Sequence, residues 1–137
     1  MYVVDIKVSK SPIDGEGVFT ERDIPKDKIV WLFKQDHDQR LTDTEFQKLS
    51  SNKKEHLSHT AYFSPWSNLW VFPPQGDPAE YTNHSDKHNL SVIFDEDVSP
   101  EPYFIANRDI TAGEELTNNY HEFDEITRKT KPDWAKQ

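Results

Sequence analysis

Cysteine is absent from the 137 residues. That removes disulfide frameworks, thiol nucleophiles and every zinc or iron–sulfur site built on thiolates. Long apolar runs are missing too: no stretch approaches the roughly 20 residues that span a bilayer. The opening Met1-Tyr2-Val3-Val4-Asp5 lacks the basic and apolar regions of a secretion signal. Positive charge is in deficit, the formal net charge being −9. This disfavours general nucleic-acid binding, which depends on neutralising phosphates, and favours attraction of a basic partner. Leu, Ile, Val and Phe together number only 31, just above the level of about 20% at which chains tend to be disordered. Seventeen aromatic residues compensate, because each can bury a large area. The balance predicts one small domain anchored by aromatic side chains.

The acid excess is not evenly spread. Residues 121–137 carry equal numbers of acids and bases, so residues 1–120 hold all of it. The tail, with Arg128, Lys129, Lys131, Pro132 and Trp134, has a different character. No internal repeat or low-complexity linker divides the rest.

Short apolar runs between turn residues predict a mainly β domain. Strands are expected over Tyr2–Val8, from Val18 onward, and over Ile29–Phe33, Leu69–Phe72, Leu90–Phe94, Tyr103–Ala106 and Leu116–Tyr120. The Leu90 and Tyr103 strands flank an acidic, proline-containing connection and read as a hairpin with a long loop. Between residues 42 and 58 the rhythm changes. Thr42-Asp43-Thr44-Glu45 fits a capping box, in which the Thr hydroxyl and the Glu carboxylate satisfy each other's backbone N–H groups. Phe46 and Leu49 then share a helical face. Asn52–Glu55 repeats the pattern, which predicts a second short helix through Leu57.

Three polar motifs can carry chemistry. Asp14-Gly15-Glu16-Gly17-Val18-Phe19 places two of only four glycines one residue apart. Such a turn permits positive φ and close approach of backbone to a ligand, or serves simply to enter a strand. It is no dinucleotide fingerprint, having neither a third glycine nor a following helix. Tyr81-Thr82-Asn83-His84-Ser85-Asp86-Lys87-His88-Asn89 is a dense polar run that reads as a loop. It can bind polar ligand groups or cap itself through its Asx and Ser side chains. His84 and His88, four apart, would suit a metal only on a helix, so no metal site is expected. Ala112-Gly113-Glu114-Glu115-Leu116-Thr117-Asn118-Asn119-Tyr120 feeds a strand ending in a phenol, a hydrogen-bond partner or general acid–base group if it is not merely core. His56 and His59 have no evident partner and read as solvated surface.

Taken in order, Gly-Glu-Gly-Val-Phe, Asn-His-Ser and Ala-Gly-Glu-Glu-Leu-Thr-x-x-Tyr resemble the SET-domain family of protein-lysine methyltransferases. The likeness runs from about Val3 to Asp124. It implies a SET domain over residues 1–124, with the helical insert at 42–58 shaping a substrate groove and residues 125–137 as a tail. The implied fold is mainly β and β-clip-like, several small twisted sheets with a C-terminal pseudoknot, against the usual rule for threading. The implied cofactor is S-adenosyl-L-methionine. In that likeness the backbone of Gly15, Glu16 and Gly17 approaches the cofactor and Asn83 binds its amino-acid end. The backbone of His84 meets the adenine, and Tyr120 sits beside the methyl group as both cofactor-binding and catalytic residue. Tyr62, Phe63, Trp66, Trp70 and Phe123 are candidate walls of a lysine channel, each of them equally suited to core. Tyr81 is expected to pack nearby.

The chain also departs from the family's pattern. Without cysteine it cannot form the zinc-bound segment that closes the channel in many members. Trp134 is either an aromatic replacement lid or part of a frayed end. Asn118 stands where an aromatic residue is frequent, Glu80 where Arg is common, and Asp86 and His88 where Cys and Pro often follow Asn-His-Ser. The resemblance implies methyl transfer to lysine of a basic protein or peptide, histones and histone-like proteins included. A non-catalytic SET-like binding module and a methyltransferase acting on a small amine remain as alternatives. No nucleic-acid or membrane partner is expected. The expected setting is cytoplasmic, of bacterial or viral type, with a nuclear or host-directed role left open.

Overall fold

The computed structural model describes residues 1–58, 60–64, 66–119 and 122. Strands β1 (Ile6–Lys10) and β2 (Glu16–Thr20) form an antiparallel hairpin in register from Ile6↔Thr20 to Lys10↔Glu16. Its connection closes through the Ser11 N–H, which donates to the Gly15 carbonyl at 2.8 Å. Gly15 has φ +47, a left-handed conformation costly to any residue with a Cβ. The first strand was expected from Tyr2. It begins at Ile6 because Tyr2 instead forms an isolated bridge with Trp31, where an aromatic ring finds apolar neighbours.

Two further sheets complete the fold. One has the order β3-β9-β8, built from β3 (Ile29–Trp31), β8 (Leu90–Ile93) and β9 (Tyr103–Ala106). The β8–β9 hairpin with its long acidic connection is the one that the apolar runs predict. The other has the order β4-β6-β5, from β4 (Gln39–Leu41), β5 (Tyr62–Phe63) and β6 (Trp70–Phe72). Nothing in Gln39-Arg40-Leu41 signals a strand, and its place is set by pairing with β6.

Helices α1 (Asp43–Gln47) and α2 (Ser51–Leu57) follow β4. The capping box is complete: Thr42 Oγ1 accepts from the Glu45 N–H at 3.1 Å, and Glu45 Oε1 from the Thr42 N–H at 2.9 Å. The second cap differs from expectation. Ser50, not Asn52, caps α2, accepting from the Lys53 N–H at 3.2 Å. Starting earlier adds intrahelical bonds such as Lys54 N–H to Ser50 O at 2.9 Å.

The apolar residues gather in three clusters. Val18, Ile24, Val30, Leu90, Ala106, Ile110 and Leu116 join the first two sheets. Phe46, Leu57, Ala61, Phe63, Trp70 and Phe72 hold the helices on the third sheet, with Trp70 stacked on Phe46 at 4.2 Å between centroids. Trp31, Phe33 and Val71 bridge the two groups.

The β1–β2 hairpin belongs to a four-stranded sheet that gathers the three polar motifs. Its order is β1-β2-β10-β7, so β10 (Glu115–Asn118) lies between β2 and β7 (Asn83–His84). It runs antiparallel to β2, with Leu116 opposite Val18, and parallel to β7, with Thr117 opposite Asn83 and Asn118 opposite His84. The Asn83–His84 segment, expected as loop, is therefore a short strand. Its polar residues join the ladder because β10 supplies a partner about 34 residues further along the chain, a reach that no local pattern encodes.

Candidate functional site

All three motifs meet on this sheet. Asn83 Nδ2 donates toward the Asp14 carbonyl at 3.1 Å, the Glu16 carbonyl at 3.2 Å and Glu115 Oε2 at 2.9 Å. Three acceptors thus converge on one amide group that has two hydrogens. The same Glu115 carboxylate accepts from Ser11 Oγ at 2.8 and 2.9 Å. Strand pairing places Glu115 opposite Phe19, one turn of the pleat from Gly17. A Cβ added to Gly17 would stand 2.2 Å from Glu115 Oε2, so a side chain there would have to displace the Glu115 carboxylate. At Gly15 an added Cβ would meet nothing within 4 Å. The turn is closely packed at its second glycine and open at its first.

A second amide secures β10 itself. Asn89, 2% exposed, accepts from the Thr117 N–H at 2.9 Å and donates to the Glu115 carbonyl at 2.8 Å. Its side chain thereby acts as a surrogate peptide against the strand. Asn107 donates to the His88 carbonyl at 3.0 Å and to Ser91 Oγ at 3.1 Å, fixing the chain on either side of Asn89. Glu115, Ser11 and Asn107 were not singled out from the sequence. Glu115 lies inside the quoted Gly-Glu-Glu motif and was legible as part of it, whereas Ser11 carries no signal of its own.

The remaining candidates fall into distinct surroundings. His84 lies on β7 beside Asn118 of β10, and the Ser85 N–H donates to the Asn118 carbonyl at 3.0 Å. Tyr81 ends a 3₁₀ turn over Pro78–Tyr81 and is 36% exposed. Trp66, equally exposed, stacks on Phe94 with centroids 4.6 Å apart. Phe63 and Trp70 are buried, and Trp70 Nε1 donates to Asp43 Oδ1 at 3.1 Å. Of the two readings weighed for Trp70, wall or core, its 1% exposure places it in the core of the insert. His56, expected as solvated surface, pairs with Glu80 at 2.9 Å. Glu80 also accepts from the Gly76 N–H at 2.6 Å. Tyr120, Phe123, Trp134 and His59 lie outside the described residues.

Tyr62 has the most perturbed environment. Its hydroxyl is buried. Desolvation, reinforced by the charges of Glu101 and Asp38, raises its pKa well above the usual 10. It is therefore a neutral phenol throughout the physiological range. The side chains of Glu101 and Asp38 are both fully buried. Arg40, which stacks over Phe33 at 4.8 Å, meets Glu101 at 3.2 Å. Asp38 accepts from the Lys34 N–H at 2.9 Å.

Comparisons with known proteins agree with this geometry. The family model described as SET domain matches residues 15–121, which contain Gly15, Gly17, β7 and β10. The chain belongs to the SET-domain family, and membership supports methyltransferase activity as the general reaction class. Among solved structures, a candidate histone methyltransferase of Plasmodium falciparum is similar with a TM-score of 0.57 and 21% identity. The match covers 85% of this chain and 93% of that one. At such identity the likeness speaks for the fold. No curated protein matches the chain. Among the described residues, no helix is long and apolar enough to cross a membrane.

Proposed function

We propose that this protein transfers a methyl group from S-adenosyl-L-methionine to a lysine side chain of a basic protein or peptide. The observation that carries the reading is the convergence on Asn83. One amide joins the glycine turn, β7 and β10 in the corner where the family binds its cofactor. The residues there fit such a group. Asn83 spends its hydrogens on Asp14, Glu16 and Glu115, which leaves its carbonyl as an acceptor for an ammonium group. The open, left-handed backbone at Gly15 allows close approach without a side chain in the way.

When bound, the cofactor supplies an electrophilic methyl on a sulfonium. The chain's own task is alignment of nitrogen, carbon and sulfur, and orientation of this kind can supply on the order of 7–11 kcal/mol. Tyr120 is assigned to the end of the β10 segment as the phenol beside the reacting methyl, where its oxygen can hold polarised C–H groups through weak hydrogen bonds. The lysine must be neutral to attack. Tyr62, a buried and uncharged phenol, is assigned to the wall of the lysine channel, and an aromatic, desolvating wall lowers a lysine's pKa. Trp66, Tyr81 and Phe123 are assigned to the same channel, and Trp134 to its closure. The net charge of −9 favours encounter with a basic substrate.

Tyr120→Phe tests the assignment. Turnover on a basic protein substrate should fall on the order of 10²-fold or more while calorimetry still shows cofactor binding. Unchanged turnover would remove Tyr120 from the mechanism. Mass spectrometry of basic proteins incubated with labelled cofactor decides between enzyme and binding module, since only the enzyme leaves methyl-lysine.

A further inference from the structure

His88 stands where the family's pattern often has proline, and it has acquired a partner. Its Nε2 lies 2.9 Å from Glu122 Oε1, both side chains being largely buried, at 20% and 31% exposure. The other carboxylate oxygen, Glu122 Oε2, accepts from the Val92 N–H at 3.2 Å. Val92 lies on β8, the outer strand of the β3-β9-β8 sheet, so this carboxylate takes a backbone donor that an edge strand otherwise offers to water or to another chain. The Glu122 N–H donates to the Asn119 carbonyl at 3.0 Å. His88 Nδ1 is buried and has no partner among the described residues, so the ring's proton finds its acceptor only at Nε2. The His88 backbone is itself fixed, its carbonyl accepting from Asn107.

We propose that Glu122 and His88 are positioning residues: together with the Val92 N–H they latch the chain that follows β10 onto β8 and so fix the backbone that carries Tyr120 for methyl transfer. This rests on the function proposed above. Tyr120 lies two residues before Glu122 in the sequence, and two residues of chain span at most about 7 Å. Asn119, on its other side, follows the last residue of β10. Asn119 and Glu122 thus bracket Tyr120 in the sequence, and in an alignment-limited reaction a misplacement of about 1 Å can cost on the order of 10²-fold. The latch also ties two of the three sheets together at the site. Val92 belongs to one, and the strand leading to Asn119 belongs to the other.

The test uses the full chain and four variants. Glu122→Ala and His88→Ala should each lower kcat by about 10- to 100-fold, with the calorimetric Kd for S-adenosyl-L-methionine changed less than about twofold. The double variant should be no worse than the more severe single one, since both break one device. His88→Gln, whose amide N–H can meet the same oxygen, should recover most of the turnover. Unchanged kcat in the alanine variants overturns the proposal, as does a kcat loss matched by an equal loss of cofactor affinity. Hydrogen exchange supplies a readout that needs no turnover: protection of the Val92 amide should fall in Glu122→Ala while amides of the β1–β2 hairpin keep theirs. Retained protection at Val92 refutes the latch whatever the activity. Lost protection in a protein whose wild type methylates no lysine refutes the proposed function and leaves the latch standing.

Discussion

The helical insert and the glycine-turn corner are held together in opposite ways. In the insert the contacts are near in sequence or apolar: Thr42 and Glu45 cap each other across three residues, and Phe46, Phe63 and Trp70 stack into one aromatic core. In the corner the contacts are polar and distant. Ser11 reaches Glu115 across 104 residues, and Asn83 reaches Asp14 across 69. The insert is thus an apolar module that any good packing would stabilise. The corner is a set of directional bonds that only one geometry satisfies.

That contrast can be broken from its apolar side first. Trp70→Ala removes the ring on which Phe46 and Phe63 pack and leaves Asp43 without its indole donor. Large-to-small changes of this kind cost about 3–5 kcal/mol. Denaturant titration should show a loss of that size, and a smaller loss than about 1 kcal/mol would mean that the insert is not an aromatic core.

The polar side should respond more weakly in stability and more strongly in binding. Gly17→Ala places a methyl group against Glu115 Oε2, and overpacking costs about 1–3 kcal/mol. Displacing Glu115 also removes one of the three partners of Asn83, so calorimetry should show weaker cofactor binding. Adding Glu115→Ala returns the space. The double variant should therefore melt at a higher temperature than the Gly17→Ala single variant, yet still bind the cofactor poorly. Equal melting of the two would show that Glu115 does not set the limit at Gly17.

The smallest effect concerns the cap. Thr42→Ala should cost about 1 kcal/mol, measured by thermal unfolding, with cofactor affinity untouched. The capping box also has an acid limit. Glu45 has its carboxyl pKa lowered below the usual 4.5, chiefly by the Thr42 backbone N–H. A lowered carboxyl supports the fold fully above pH 4.5 and loses that support as the pH falls through its folded value. Protection of the Thr42 and Glu45 amides, taken relative to their intrinsic exchange rates, should accordingly fall below pH 4.5. An exchange rate that follows only the intrinsic pH dependence would show that the box is not formed in solution.

The same contrast explains what the sequence disclosed. The capping box at Thr42 was readable because helix signals are local, and the β8–β9 strands because their apolar runs are dense. Ser50 and Asn52 are two adequate caps two residues apart, which only the added intrahelical bonds of the earlier start separate. Asn83–His84 read as loop because a strand of two polar residues has no pattern, only a distant partner. Asn89 belonged to the same polar run, but its service to β10 is a long-range bond invisible in composition. The order of the three motifs made the family recognisable, and through it the corner. Glu115, inside one of those motifs, and Ser11, outside all of them, became visible as neighbours only once β10 was seen to lie beside β2.

The position of β10 in the middle of its sheet also sets a timetable. The strand is made of residues 115–118, yet its neighbours are β2, near the start of the chain, and β7. Synthesis at about 5–20 residues per second leaves β2 waiting on the order of 5–20 seconds for its partner. Pairings between such distant segments are intrinsically slow to form. A nascent chain can therefore assemble the helical insert and the β8–β9 hairpin while the glycine turn still lacks Glu115 and the strand beside it. The corner proposed to hold the cofactor, on this schedule, forms all at once and late, and a stalled chain lacking β10 would be folded in part without it.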